Sequence, residues 1–395
     1  MIEFSPNVAR LQPSATISLA SRVRELIAEG RDIINLTAGE PDFRTPEFIC
    51  DAATRAIRDG RTRYTASAGI PELRVAIAAD LQRLSPVQPS IDPAGVVVSS
   101  GAKESLFNLC FSLFGPGDRV LIPLPYWTTY AAQVELARAD PVFVTTRVEN
   151  SFKPTVDELD RAAHGGASGL ILNSPSNPTG AVYTLEELEA IVRWAAERGI
   201  WVISDEIYRR IHQGGGLAPG LLDLDLALLE RAVVVDGASK AFAMTGWRIG
   251  FAYGPAAVAA KCAALQSQTT SHAAAPSQYA ALAAYSATAE EMREYDAMVE
   301  AFDRRRELIV RLFRERLPHV DFLEPRGAFY LWIRSDGLRR DGESTPALCE
   351  RLLEEAGVAV VPGGAFGDER YVRLSYATSE AVLEEAVARL ARLSP

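Results

Sequence analysis

Along the middle of the chain, short apolar runs alternate with longer stretches whose apolar positions recur every three or four residues. The short runs are Val96–Ser99, Arg119–Pro123, Val142–Thr145, Gly169–Asn173, Trp201–Ser204 and Ala232–Val235. Each is rich in β-branched residues and bounded by Gly, Pro, Asp or Asn, the pattern of a buried strand. Between them, Lys103–Phe114, Leu185–Arg198 and Pro255–Gln266 carry helical periodicity. Thr184 stands where it can cap the second of these, with Glu187 three residues later in a capping-box arrangement. Strands alternating with helices predict an α/β fold: a three-layer α/β/α domain around a mostly parallel sheet.

Toward the C-terminus the pattern changes. Ala289–Leu317 is one long charged helical stretch in which Arg304, Arg305 and Arg306 read as a solvated face. Ala328–Ile333 and Tyr371–Tyr376 then read as strands, and Pro346–Glu355 and Glu380–Leu393 as helices. At the other end, a helix over Ile17–Glu29 and an extended stretch over Ile33–Ala38 are expected to pack with this smaller α+β unit. The predicted organisation is an N-terminal segment 1–45 joined to the small domain, a large domain 46–285 and a small C-terminal domain 286–395.

Composition narrows the function classes. With 48% hydrophobic and 23% charged residues, a chain of 395 residues can bury a sizeable core, which excludes disorder, a collagen-like repeat or a disulfide scaffold. No apolar run approaches the ~18 residues of a membrane span. A formal net charge of −10 makes nucleic acid and membrane surfaces poor default partners. The N-terminal MIEFSPNVAR does not read as a secretory signal. Cys50, Cys110, Cys262 and Cys349 are far apart, as are His164, His212, His272 and His319, so neither a metal site nor a disulfide is expected, and a cytoplasmic location is.

In an open parallel sheet, ligands bind beyond the carboxyl ends of the strands, so the residues just after each run carry the candidate chemistry. Ser100-Gly101-Ala102-Lys103 opens a helix, a turn suited to a phosphate and equally readable as an ordinary tight turn. Asn177 follows the third-to-last run on a turn stiffened by Pro175 and Pro178. Asp205 and Tyr208 follow the next run, Asp205 also being readable as a helix cap. Lys240, with Ser239 before it, follows the last run, and Arg248 comes eight residues on. A lysine just beyond a buried strand is costly unless paired or functional, and desolvation favours its neutral, nucleophilic form. Lysine, acid, phenol, amide, guanidinium and phosphate turn at one sheet edge are what pyridoxal 5'-phosphate requires.

The chain resembles the class I aminotransferases of the aspartate aminotransferase superfamily, which have the pyridoxal-phosphate fold type I. The motifs are Asn-Pro-Thr-Gly at 177–180, Ser-Asp-Glu-Ile-Tyr at 204–208, Ser-Lys-Ala-Phe at 239–242, Gly-Trp-Arg-Ile-Gly at 246–250 and Val-Arg-Leu-Ser at 372–375. The resemblance implies that Lys240 forms the imine with the cofactor and then moves the Cα proton, and that Asp205 pairs with the pyridinium nitrogen. It implies that Asn177 and Tyr208 bond the phenolate oxygen and that Trp127 stacks on the ring. Gly101, Ala102, Lys103, Ser239 and Arg248 would hold the phosphate side. Arg373 and Gly39 would take the substrate α-carboxylate. Tyr64 matches a position that reaches the phosphate of a neighbouring subunit, implying a homodimer with shared sites; surface packing is its other reading. Many relatives carry serine where this chain has Gly237, a loss that Ser239 or Lys103 would have to offset.

Pro13-Ser14-Ala15-Thr16 together with Lys103 is similar to the bacterial branch of aspartate aminotransferases, some of which accept prephenate. There, the lysine and Thr16 would meet the substrate's side-chain carboxylate; neutralising the phosphate is an equal reading of Lys103. Gln12 stands where prephenate-using relatives have lysine, which weakens that reading. The expected function is a ping-pong aminotransferase moving an amino group between an L-amino acid, aspartate or glutamate first, and a 2-oxo acid. Aromatic, kynurenine or prephenate substrates, with Tyr126 and Phe366 lining a more apolar pocket, and a C–S β-lyase on the same fold are the alternatives.

Overall fold

A computed structural model of the chain describes residues 4–393 except Pro6, Arg10 and Ser14, so Ser14 of the Pro-Ser-Ala-Thr motif lies outside the described residues. After an N-terminal helix, Ala15–Ala28, comes the two-residue strand β1 (Ile34–Asn35), shorter than the extended stretch the pattern predicts. A seven-stranded sheet follows: β2 (Val96–Ser99), β3 (Arg119–Pro123), β4 (Asp140–Val144), β5 (Gly169–Asn173), β6 (Trp201–Asp205), β7 (Ala232–Gly237) and β8 (Gly250–Tyr253). Its order is β2-β8-β7-β6-β5-β3-β4. All neighbours run parallel except β8, which is antiparallel to both β2 and β7.

Alternate residues of these strands feed two separate cores, as the two-residue period of a strand requires. Val98, Leu121, Leu170, Val202 and Val234 pack with helices Glu47–Arg58, Pro71–Leu84, Leu185–Glu197 and Ala275–Tyr285. Val97, Val120, Ile171, Ile203 and Val235 pack with helices Ala102–Leu113, Thr129–Leu136 and Ala256–Ser267. This is the three-layer α/β/α arrangement. The capping box on Leu185–Glu197 is present: Thr184 N–H donates to Glu187 Oε2 at 2.8 Å, and Glu187 N–H to Thr184 Oγ1 at 3.2 Å. The strand β8 escapes the sequence pattern because it is four residues long and begins inside a glycine-rich motif.

A third core gathers Leu36, Phe302, Ile309, Phe313, Leu331, Leu348, Leu374 and Val387. It lies around β9 (Phe322–Leu323), β10 (Tyr330–Arg334), β11 (Val358–Ala359), β12 (Val361–Pro362) and β13 (Tyr371–Ser375). Four of these form a sheet ordered β12-β13-β10-β9, while β11 pairs in parallel with β1. Val23 and Leu26 of the N-terminal helix pack on Leu353 and Ala359.

One expectation fails. Arg304, Arg305 and Arg306 do not form a solvated face on the helix Arg293–Arg316. Only Arg304 is exposed; Arg305 and Arg306 are buried. Consecutive helical residues point about 100° apart, so three in a row cannot share one face. Arg305 pairs with Asp42 through bonds of 2.6 and 3.0 Å and lies over the Phe43 ring. Arg306 bonds Asp303 at 2.9 Å and lies 3.6 Å from Glu324.

Among the described residues, no helix is long and apolar enough to cross a membrane, and no group of His, Cys, Asp and Glu is placed to hold a metal ion.

Candidate active site

The carboxyl ends of β5, β6 and β7 open into a cavity of about 430 Å³, bordered also by Tyr330 of the third core and by residues of the N-terminal helix. Lys240, Asp205, Tyr208, Asn177, Trp127, Ala102, Lys103, Ser239, Arg248, Arg373, Gly39 and Thr16 all line it.

Lys240 sits on the one-turn helix Ala238–Ala241 that ends β7. Its Nζ donates to the Gly39 carbonyl oxygen. Burial pushes the ammonium down to about 8, with Glu40 opposing the shift and Arg248 and Arg373 adding to it. A lysine with this pKa has a substantial neutral fraction near physiological pH. Asp205 ends β6 and is buried beneath the cavity. Burial pushes its carboxyl up to about 6, against the pull of the Tyr130 hydroxyl, which donates at 2.7 Å, and of the Ile207 N–H at 3.3 Å. A buried carboxyl with so few donors is poised to pair with a further cation or N–H.

The turn after β2 forms a cradle. Gly101 has φ +86°, and a Cβ there would run into the Arg248 guanidinium. Gly250, paired with Ser99 and Gly237 across the sheet, has no room for a Cβ against the Ala102 backbone. A Cβ at Gly237 would stand 2.8 Å from both Gly250 Cα and the Ile249 carbonyl oxygen, so a serine at this position would force the strands apart. Arg248 is oriented by bonds to the carbonyls of Thr245 at 3.0 Å and Ser100 at 3.3 Å. Lys103 Nζ lies 4.9 Å from the centroid of the Trp127 ring, and burial, then Arg248, disfavours its charge. Ser239 is buried and borders the same space. Two cations and the N-terminus of the helix Ala102–Leu113 favour an anion here, while Glu104 of the first turn accepts from the Ser100 N–H and the Thr270 hydroxyl.

Arg373, in β13, is buried, and among the described residues no carboxylate pairs with it. Its Nη1 donates to Asn177 Oδ1 at 2.9 Å and its Nη2 to the Thr37 carbonyl at 2.7 Å, while Nε is without a partner. The guanidinium lies between the rings of Tyr330 at 4.4 Å and Phe366 at 4.9 Å. Burying an unneutralised guanidinium is costly, and such a group suits a carboxylate guest. Phe366 therefore serves as a wall for Arg373, and Tyr126 packs on Phe143 outside the large cavity. Tyr208 and Tyr330 share a hydroxyl bond of 2.7 Å. Asn177 is held from below: its N–H donates to Asn173 Oδ1 at 2.8 Å, and Asn173 Nδ2 donates to the Asp205 carbonyl at 2.9 Å.

Two predicted residues do not border the cavity: Gly101, which stands against the Arg248 guanidinium, and Tyr64. Tyr64 is 92% exposed and stands edge-on to His272. The sequence reading passed over Tyr130, Tyr330, Asn173 and Glu40, all of which border the cavity. Tyr130 comes three residues after Trp127, and Asn173 ends a predicted strand, so position marked both; nothing local marks Tyr330.

A lysine, a buried acid, an anion cradle and a carboxylate-ready guanidinium in one cavity define an aminotransferase-type centre. The family described as aminotransferase class I and II matches residues 31–390, and the chain belongs to that family; it is an enzyme of the aminotransferase class. The aspartate aminotransferase of Geobacillus stearothermophilus is 41% identical over 393 residues, 99% of this chain and 98% of that protein. The aspartate/prephenate aminotransferase of Cereibacter sphaeroides is 41% identical over 398 residues, with coverage of 99% and 98%. Among solved structures, the aspartate aminotransferase of Thermus thermophilus with maleate superposes with a TM-score of 0.93 at 40% identity over the full length of both chains.

Proposed function

We propose that this enzyme binds pyridoxal 5'-phosphate and moves the amino group of aspartate or glutamate to a 2-oxo acid by two half-reactions at one site. The observation that carries the reading is the acid-free, buried Arg373 facing the same cavity as Lys240. Relatives named aspartate aminotransferase support the substrate class.

The residues fit the cofactor. The cradle at Gly101, Ala102, Arg248, Lys103 and Ser239 would hold its phosphate, Asp205 its ring nitrogen, Asn177 and Tyr208 its phenolate oxygen, and Trp127 its ring face. When bound, the cofactor supplies an electron sink for negative charge at the substrate Cα. Lys240 Nζ would be the amine that anchors the cofactor, and as a free base it would take the substrate Cα proton and return it. Its depressed pKa suits it to both tasks near neutral pH. Asp205, helped toward its ionised form by the Tyr130 hydroxyl, would pair with the cofactor's ring nitrogen and favour its protonated form. Arg373 orients the α-carboxylate, and Asn177, bonded to Arg373, couples substrate seating to the cofactor side.

Residues 46–285 serve as the cofactor domain, with segments 1–45 and 286–395 bringing Thr37 and Arg373 over it. The active unit is a homodimer in which Tyr64 of one subunit reaches the phosphate of the other, a role supported by its 92% exposure. Four free cysteines fit a reducing, cytoplasmic setting.

The test is an assay of the cofactor-loaded protein with aspartate and 2-oxoglutarate. Stoichiometric glutamate and oxaloacetate are expected; pyruvate and ammonia from a cysteine conjugate, without transamination, would sink the reading.

A further inference from the structure

The turn that carries Tyr208 runs on into two buried arginines, and the two take different partners. Arg209 donates to both Asp223 oxygens at 2.8 and 2.7 Å, to Ser85 Oγ at 3.2 Å and to the Ala218 carbonyl at 3.1 Å. Arg210 reaches the segment that carries Lys240. Its Nη2 donates to Asp80 Oδ2, and its Cζ lies 5.6 Å from the centroid of the Phe242 ring. Phe242 caps the one-turn helix of Lys240, two residues beyond it. Asp236, buried in β7 four residues before Lys240, is within electrostatic reach of Arg210 as well.

Two more rings close around this contact. Phe242 meets Tyr285 edge-on at 5.5 Å and Tyr295 at 6.0 Å, and the Tyr295 hydroxyl donates to the Arg210 carbonyl at 2.9 Å. Arg210 is therefore fixed at its backbone and at its guanidinium, by the helices Arg293–Arg316 and Pro71–Leu84. Neither Arg210, Asp80, Asp236 nor Phe242 borders the cavity, so the cluster can bear on the reaction only through the residues it holds. Stability is a weak reason for its presence. The desolvation cost of a buried ion pair roughly offsets its attraction, and well-packed apolar groups of like volume often serve as well or better.

We propose that Arg210 is a positioning residue: seated on Asp80 and against Phe242, it holds the Lys240 turn and the Tyr208 turn in fixed relation beneath the cavity. The proposal rests on the cofactor reading above. Burial and the charges of Glu40, Arg248, Arg373 and Asp205 govern the Lys240 amine. Arg210 is not among them, so its influence is geometric.

The experiment compares wild type, Arg210→Lys, the paired variant Asp80→Leu/Arg210→Met, and Tyr208→Phe alone and combined with that pair. It reads the urea midpoint of each apoprotein, the pH titration of the visible band of the pyridoxal-phosphate-loaded protein, and kcat and KM for aspartate. The pair removes both buried charges together, so its urea midpoint should equal or exceed that of wild type. Its kcat should fall about 10-fold with KM changed by less than about 3-fold, the split expected when alignment and not binding is lost. The band should titrate at least about half a pH unit higher, because a Tyr208 hydroxyl moved off the cofactor's phenolate oxygen no longer favours the unprotonated form. In the Tyr208→Phe background the pair should add little to that displacement, since both act on one contact. Arg210→Lys, which keeps a cation on Asp80 but not the planar contact with Phe242, should fall between the pair and wild type.

An unchanged band titration and kcat in a folded pair would overturn the proposal, as would a displacement that adds in full to that of Tyr208→Phe. If the pair does not fold, the same two results in Arg210→Lys decide the matter. A wild type that forms no visible band with pyridoxal 5'-phosphate would overturn the underlying reading instead, before any variant is made.

Discussion

The Tyr130 hydroxyl donates to Asp205 Oδ2 at 2.7 Å, with both groups buried under the cavity floor. Asp205 is already pushed up to about 6 by burial, and this bond is one of the interactions holding it down. Tyr130→Phe should raise the Asp205 pKa further, because a buried carboxylate that loses a donor favours its neutral form. The expected result is a fall in kcat of about 3- to 30-fold, and an acid limb of the kcat–pH profile moved to higher pH. A profile unchanged in shape would detach Tyr130 from the function of Asp205.

Arg373→Leu removes a guanidinium that has no acid partner among the described residues. The KM should rise about 10-fold or more for every amino acid, the loss of one charge-assisted pair of ~1.5–3 kcal/mol. An unchanged KM would remove Arg373 from the substrate site.

Gly101→Ala introduces a Cβ into the Arg248 guanidinium, at a φ of +86° where the backbone strain alone is about 1–3 kcal/mol. The Kd for pyridoxal 5'-phosphate should rise about 10-fold or more, while the affinity for pyridoxal, which lacks the phosphate, changes little. Equal weakening of both would place the damage outside the phosphate cradle.

Asp236 in β7 is buried beside Arg210, and burial pushes its carboxyl up from 3.8 to about 7. The folded protein therefore holds a proton that the unfolded chain releases, so this group's contribution to stability is fullest near pH 4 and falls as pH rises toward 7. A shift of about three units bounds the change at roughly 4 kcal/mol. Asp236→Asn should match wild type near pH 4 and equal or exceed its stability at pH 8, read as urea midpoints of the apoprotein. A variant less stable at pH 8 than at pH 4, relative to wild type, would show that the ionised carboxylate is a net stabiliser.

Much of the site was legible because its chemistry sits at predictable places. Gly101, Asn177, Asp205 and Lys240 each follow a short apolar run, and the end of a parallel strand is where ligands bind. The runs themselves were readable because the central strands β3, β5, β6 and β7 are buried on both faces of the sheet. What stayed hidden depends on packing between distant segments. Tyr330 reaches Tyr208 across 122 residues of sequence, and Arg305 finds Asp42 across 263. No local pattern announces either pair.

The central claim is that Lys240 is the lysine that holds the cofactor. The direct measurement is reduction of the pyridoxal-phosphate-loaded protein with borohydride, followed by proteolysis and mass mapping. The expected result is one pyridoxyl-phosphate adduct per chain, on the peptide containing Lys240, and its loss when aspartate is added before the reductant. An adduct on Lys103, Lys153 or Lys261 in place of Lys240, or none at all, would contradict the account.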